Sequence, residues 1–192
     1  MCYSALVQAA YQEYRRKYGA DISVREFFDL YVDRDEHGRK IKLLRGMDRS
    51  FLQPTTDLER EIAALIAKHD SAETTRLERE LFALRKRLAD AQRKLLVKPT
   101  KAAAESERIA TSKLETTRTR LAELKRAEAS SSDQRIFPGV YCPVMVWENG
   151  RRVVKPMRYQ LRPPQMPATF DRTHPGTYNA RRDALTGVFN RR

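Results

Sequence analysis

Residues 144–155 read Val-Met-Val-Trp-Glu-Asn-Gly-Arg-Arg-Val-Val-Lys, and this stretch decides the fold class. Asn149 and Gly150 both tolerate positive φ, so the pair is the strongest two-residue hairpin signal. Val144–Glu148 and Arg151–Lys155 are the flanking strands. Downstream, Pro156, Pro163, Pro164, Pro167 and Pro175 punctuate loops and short strands. One hairpin and a few loops do not make a sheet with two faces to bury. The β region therefore stops short of a closed sheet.

Upstream the texture is helical. Ser4 is placed to cap a helix over 4–18, with Val7, Tyr11, Tyr14 and Tyr18 on one face and Gly19 as its stop. A second helix starts at Ser23, with Glu26 completing a capping box and Phe27, Phe28 and Tyr31 on the buried side. Residues 33–54 are mixed and polar, with His37-Gly38 as a turn and Pro54 as a break.

Thr56 and Glu59 form another capping box, and a long helix follows. Leu77, Leu81, Leu84, Leu88, Ala91 and Leu95 step by alternating fours and threes, a heptad seam. Pro99 interrupts it. A second helical run covers about 101–129, with Leu114, Leu121 and Leu124 in similar register. At ~1.5 Å per residue the first arm reaches about 60 Å. The two arms make an antiparallel hairpin, a single kinked helix or an intermolecular coiled coil. Ser130-Ser131-Ser132-Asp133 ends the helical character.

The predicted organisation is thus two small helices, a long helical insertion and a β region, with the β region and the N-terminal helices in one domain split by the insertion. Residues 1–56 and 130–192 form the domain, and 57–129 the insertion. Trp147 is expected in sheet packing and Cys142 as a buried core thiol.

Composition narrows the function. The 192 residues carry 38 Lys and Arg against 25 Asp and Glu, a net charge of +13. Residues 151–192 are especially basic. A polyanion, most simply nucleic acid, is the natural partner. No apolar run is long enough for a membrane span, and the N-terminus lacks the pattern of a secretory signal. Cys2 and Cys142 cannot build a disulfide framework, which suggests a cytoplasmic, reducing setting. The three His stand apart from any Cys, so no zinc spacing exists, and no cofactor is expected.

Cys2 carries the sharpest chemistry. With Met1 removed it is a 1,2-aminothiol whose α-amine has an ordinary pKa of about 7.7–8.0, so part of it is neutral near pH 7. A neutral amine attacks an aldehyde to give a Schiff base. The neighbouring thiol then closes onto the imine carbon as a thiazolidine. Ring-opened abasic DNA offers such an aldehyde. A second constellation is Pro156-Met157-Arg158-Tyr159, followed by Tyr178-Asn179-Ala180-Arg181-Arg182. Arg suits phosphate contacts and Tyr suits stacking on an unpaired base.

Met-Cys at the N-terminus, Pro-Met-Arg-Tyr and Asn-Ala-Arg together resemble the SOS response-associated peptidase (SRAP) family. Its members crosslink to abasic sites in single-stranded DNA. The resemblance covers residues 1–5 and about 136–185. It implies a curved-sheet α+β fold with a positively charged single-strand groove. It implies Cys2 as the covalent nucleophile, with Asn179 beside its amine. Arg181 would bind phosphate next to the abasic site, and Arg158 the DNA backbone, with Arg182 and Tyr159 completing the DNA-binding set. The same Cys is proposed in the family to support autoproteolytic removal of a leader.

The chain departs from the family pattern. It begins Met-Cys-Tyr-Ser-Ala where Met-Cys-Gly-Arg is usual, and it carries the helical insertion. The family's catalytic Glu and His lie downstream of Asn-Ala-Arg, and this sequence ends at Arg192. The expectation is the N-terminal half of a SRAP-like domain, impaired in crosslinking or completed by a complementary half. The competing reading is a non-enzymatic helical adaptor that self-associates through the insertion and binds nucleic acid through a basic tail.

Overall fold

The computed structural model describes residues 5–6, 11–37, 41–163, 165–167 and 169–174. The chain divides into two compact units. One contains the residues up to Leu65 and from Ser130 onward, and the other runs from Ile66 to Ala129.

The first unit is built on the predicted hairpin. β5 (Val140–Glu148) and β6 (Arg151–Arg158) pair antiparallel from Tyr141↔Arg158 to Glu148↔Arg151. The turn takes φ 49° at Asn149 and 78° at Gly150, the left-handed pair that this dipeptide permits. The strands run further than the sequence pattern suggested, because Pro143 and Pro156 face each other within the ladder.

The hairpin does not stand alone. β2 (Asp21–Ile22) pairs parallel with β6, and β3 (Lys42–Leu43) pairs parallel with β5. The result is a curled four-stranded sheet in the order β2-β6-β5-β3. Each added strand is two residues long, too short for any alternation to reveal it. A separate pair joins β1 (Ala5–Leu6) to β4 (Arg135–Ile136), antiparallel.

This corrects the first helix. Ala5 and Leu6 are strand, and α1 covers only Tyr11–Tyr18. The β4 ladder satisfies the backbone at 5–6, so a helix starting at Ser4 is excluded. Gly19 does stop α1, with φ 60° and its N–H donating to Arg15 O at 3.0 Å.

α2 runs Val24–His37, one turn past the polar boundary the sequence suggested. Ser23 Oγ donates to Glu26 Oε1 at 3.0 Å at its start. Phe27, Leu30 and Tyr31 are buried, whereas Phe28 is only half-buried under the Arg25 guanidinium. The polar-looking stretch after α2 is also structured. α3 (Arg45–Arg49) buries Met47, and Phe51 packs edge-on against Tyr31 at 5.5 Å. Arg34, fully buried on α2, pairs with Asp48 at 3.2 Å and lies over the Tyr31 ring. With Val153 and Val154 of β6, these side chains form the core of this unit. Asp133 of the 3-10 turn Ser131–Gln134 is buried and pairs with Arg49 at 2.9 Å.

α4 (Asp57–Val97) starts at the predicted capping box. Glu59 N–H donates to Thr56 Oγ1, and Thr56 N–H donates back to Glu59 Oε2 at 3.1 Å. It runs 41 residues and continues into the second unit. Residues 98–100 turn the chain, and α5 (Lys101–Lys125) follows, capped by Thr100, which accepts from Ala103 N–H. α5 ends four residues before the predicted limit.

Cross-helix bonds define an antiparallel hairpin. Lys125 Nζ pairs with Glu78 at 2.7 Å, Thr117 Oγ1 donates to Glu80 at 3.4 Å, and Arg87 Nε donates to Ser106 at 3.0 Å. The partner numbers fall on one helix as they rise on the other. Leu77, Leu81, Leu84 and Ala91 are buried in this seam. On α5 the fully buried positions are Ala103, Ala110 and Thr117, seven residues apart, while the leucines of that run are half-buried. Small side chains there admit the large leucines of α4. Among the described residues no helix is long and apolar enough to cross a membrane.

Candidate nucleic-acid interface

Arg158 closes β6 opposite Tyr141, and Tyr159 extends the ladder by one rung. Tyr159 N–H donates to Val140 O at 2.9 Å, and Gly139 N–H donates to Tyr159 O at 2.9 Å. Gly139 has φ 84°, and a Cβ there would touch Arg158 Nη2 at 3.7 Å. The glycine thus turns the chain tightly beneath the guanidinium.

Arg158 is anchored. Its Nη1 donates to Asp171 Oδ2 at 2.8 Å, and Arg162 Nη1 approaches the same oxygen at 3.5 Å. The Asp171 side chain is buried, while Arg158 is 36% exposed. Gln160 Nε2 donates to Asp171 O at 3.4 Å, tying the segment after β6 to α6 (Phe170–Thr173). The Phe170 ring stacks at 4.0 Å on that of His174, the residue just past the helix. A single buried carboxylate therefore orients two arginines whose outer faces meet solvent. Two positive charges on one negative leave the cluster net positive, which suits a phosphate.

The sequence shows Asp171 and Arg162 only as charges of the basic stretch 151–192. Asp171 is linked to Arg158 by no period, because Pro163, Pro164 and Pro167 lie between them. Tyr159 is half-buried. Cys2, Asn179, Arg181 and Arg182, the other expected site residues, lie outside the described residues.

The pairing of β1 with β4 bears on the N-terminus. Ala5 lies opposite Ile136, three residues before Gly139 and hence close along the chain to the Arg158–Tyr159 rung.

Cys142 is buried on β5, and burial pushes its thiol up to about 11. Its Sγ faces Met157 O at 3.8 Å. It behaves as a core thiol, not a nucleophile. Trp147 departs from the expectation of sheet packing. It is 70% exposed, with the Arg152 guanidinium 6.0 Å from its ring, because it sits beyond the part of the ladder that the core covers. On the exposed side of α2, Asp33, Glu36 and His37 gather side chains within 4.8 Å of one another, a grouping common on acidic surfaces.

No family model matches the chain, and neither a curated protein nor a solved structure matches it.

Proposed function

We propose that this chain is an abasic-site crosslinker of the SRAP type, acting on single-stranded DNA through Cys2. The observation that carries the proposal is the β1–β4 pairing. It joins the two stretches on which the resemblance rests, since Ala5 pairs with Ile136 and the same segment leads to the rung of Arg158 and Tyr159. Cys2 lies three residues before Ala5 in the sequence.

The chemistry balances without a cofactor. The neutral α-amine of Cys2 adds to the C1′ aldehyde of the ring-opened sugar. The carbinolamine loses water to give the imine. The thiol adds to the imine carbon and its proton passes to nitrogen, closing the thiazolidine. One water is released overall. Arg158 and Arg162 would hold the phosphates beside the aldehyde, with Arg181 and Arg182 in the same role, and Asn179 would orient the amine. A positioned proton donor or acceptor contributes about 10² to 10⁴-fold to such steps.

Intact-mass spectrometry tests the proposal. The chain lacking Met1 is incubated with single-stranded DNA bearing one abasic site. The expected product is an adduct of the oligonucleotide mass less one water, lost in Cys2→Ala and absent with intact DNA. No adduct from protein shown to lack Met1 would overturn it. Equal binding of intact and abasic strands, indifferent to Cys2→Ala, would favour the helical adaptor.

A further inference from the structure

Trp147 is the only tryptophan in the chain, and it stands on the sheet unit with most of its ring in water. It lies two residues before the Asn149-Gly150 turn and directly across the ladder from Arg152. Arg152 is itself fixed, because its Nη1 donates to Tyr18 O at 3.0 Å at the end of α1. That acceptor is a carbonyl, so the guanidinium keeps its full charge beside the indole.

The surrounding charges are also biased. The nearby carboxylates are engaged, Asp21 by Arg151 at 3.1 Å and Glu148 by Lys155 at 2.7 Å. The last turn of α1, which ends at Tyr18, brings Arg15, Arg16 and Lys17, of which Lys17 is paired with Glu13 at 3.7 Å. An exposed indole flanked by an oriented arginine in a positive field has the chemistry of a platform for an unpaired base, with phosphate at the cation. A buried Trp would have been the ordinary outcome for a sheet residue, and the exposure costs the fold that burial.

We infer that Trp147 and Arg152 form a base-stacking platform for single-stranded DNA, separate from the Arg158 cluster. Arg158 lies six residues after Arg152 on β6, about 20 Å at ~3.3 Å per residue. Equal parity puts both on the same side of that strand. The platform would therefore hold a base several nucleotides from the one at the Arg158 end. The inference rests on the proposed single-strand partner but not on the crosslinking step.

Trp147 fluorescence reads the site directly, since no other indole contributes. The full chain is titrated with unmodified oligothymidylate, and affinity is measured in parallel by anisotropy of a labelled strand. Saturable quenching is expected. Trp147→Ala should weaken binding by roughly 5- to 100-fold, Trp147→Phe should recover most of it, and a fully paired duplex should quench little. Unchanged fluorescence at saturating strand, or unchanged affinity of Trp147→Ala, would overturn the inference and leave Trp147 as a contact for another protein. Cys2→Ala should lose the abasic adduct and keep the quenching. Quenching by the unsubstituted chain, shown to lack Met1, without any abasic adduct supports the platform and defeats the crosslinker. An adduct formed without quenching does the reverse.

Discussion

Replacing Asp48 by alanine should unlock the core that supports the sheet. Asp48 meets Arg34 Nη1 through both carboxylate oxygens, at 3.2 and 3.4 Å, and accepts the Tyr31 hydroxyl at 2.8 Å. The Arg34 side chain is 5% exposed, so removing the carboxylate strands a full charge away from water. Such a cut in a buried pair costs about 3–5 kcal/mol, more than the net worth of the pair itself. α4 and α5 dominate the far-UV signal, so that probe would report the wrong unit. Hydrogen exchange along β5 and β6, read by mass spectrometry, is local. At roughly 1.4 kcal/mol per decade, ladder amides such as Val146 and Val153 should exchange about 10² to 10³-fold faster. The double replacement Arg34→Met with Asp48→Leu removes both charges and fills similar space, so it should recover most of the loss. A cost below about 1 kcal/mol for Asp48→Ala, or a double variant as unstable as the single one, would refute the reasoning.

Three other outcomes follow from single contacts. Leu77→Ala in the helical hairpin should cost about 2–5 kcal/mol and lower the far-UV melt, because Leu77 is fully buried in the seam; an unchanged melt would mean the hairpin does not pack there. Gly46→Ala would bring a Cβ to 2.9 Å from the Asp133 carbonyl oxygen and should drive α3 from the 3-10 turn, seen as loss of protection at both segments by hydrogen exchange. Burial raises the Cys142 thiol from 9.0 to about 11, so the unfolded chain loses this proton first as pH rises. Stability should be complete below about pH 9 and decline toward pH 11, by at most about 2–3 kcal/mol, and Cys142→Ala should flatten that slope in urea titrations.

What the sequence determined by itself were the features written in local chemistry. Asn149-Gly150 specified the hairpin because positive φ is a property of those two residues. Thr56 with Glu59 specified a helix start through hydrogen bonds that span one turn. The alternating fours and threes from Leu77 to Leu95 specified a seam, since period alone gathers those side chains on one face. The positive charge was equally legible, being composition.

Tertiary structure decided the rest. It chose the antiparallel hairpin among three arrangements of the arms, because Ala103, Ala110 and Thr117 leave room for the α4 leucines. It drew two-residue strands from the N-terminal region to the sheet edges and turned Ala5 and Leu6 from helix to strand, because open ladder groups take whichever backbone reaches them. It tied Arg158 to Asp171 across a proline-rich loop, and it left Trp147 in water beside Arg152. These pairings join residues with no periodic relation. Their partners are set by where the chain returns in space, and a one-dimensional pattern carries no record of that.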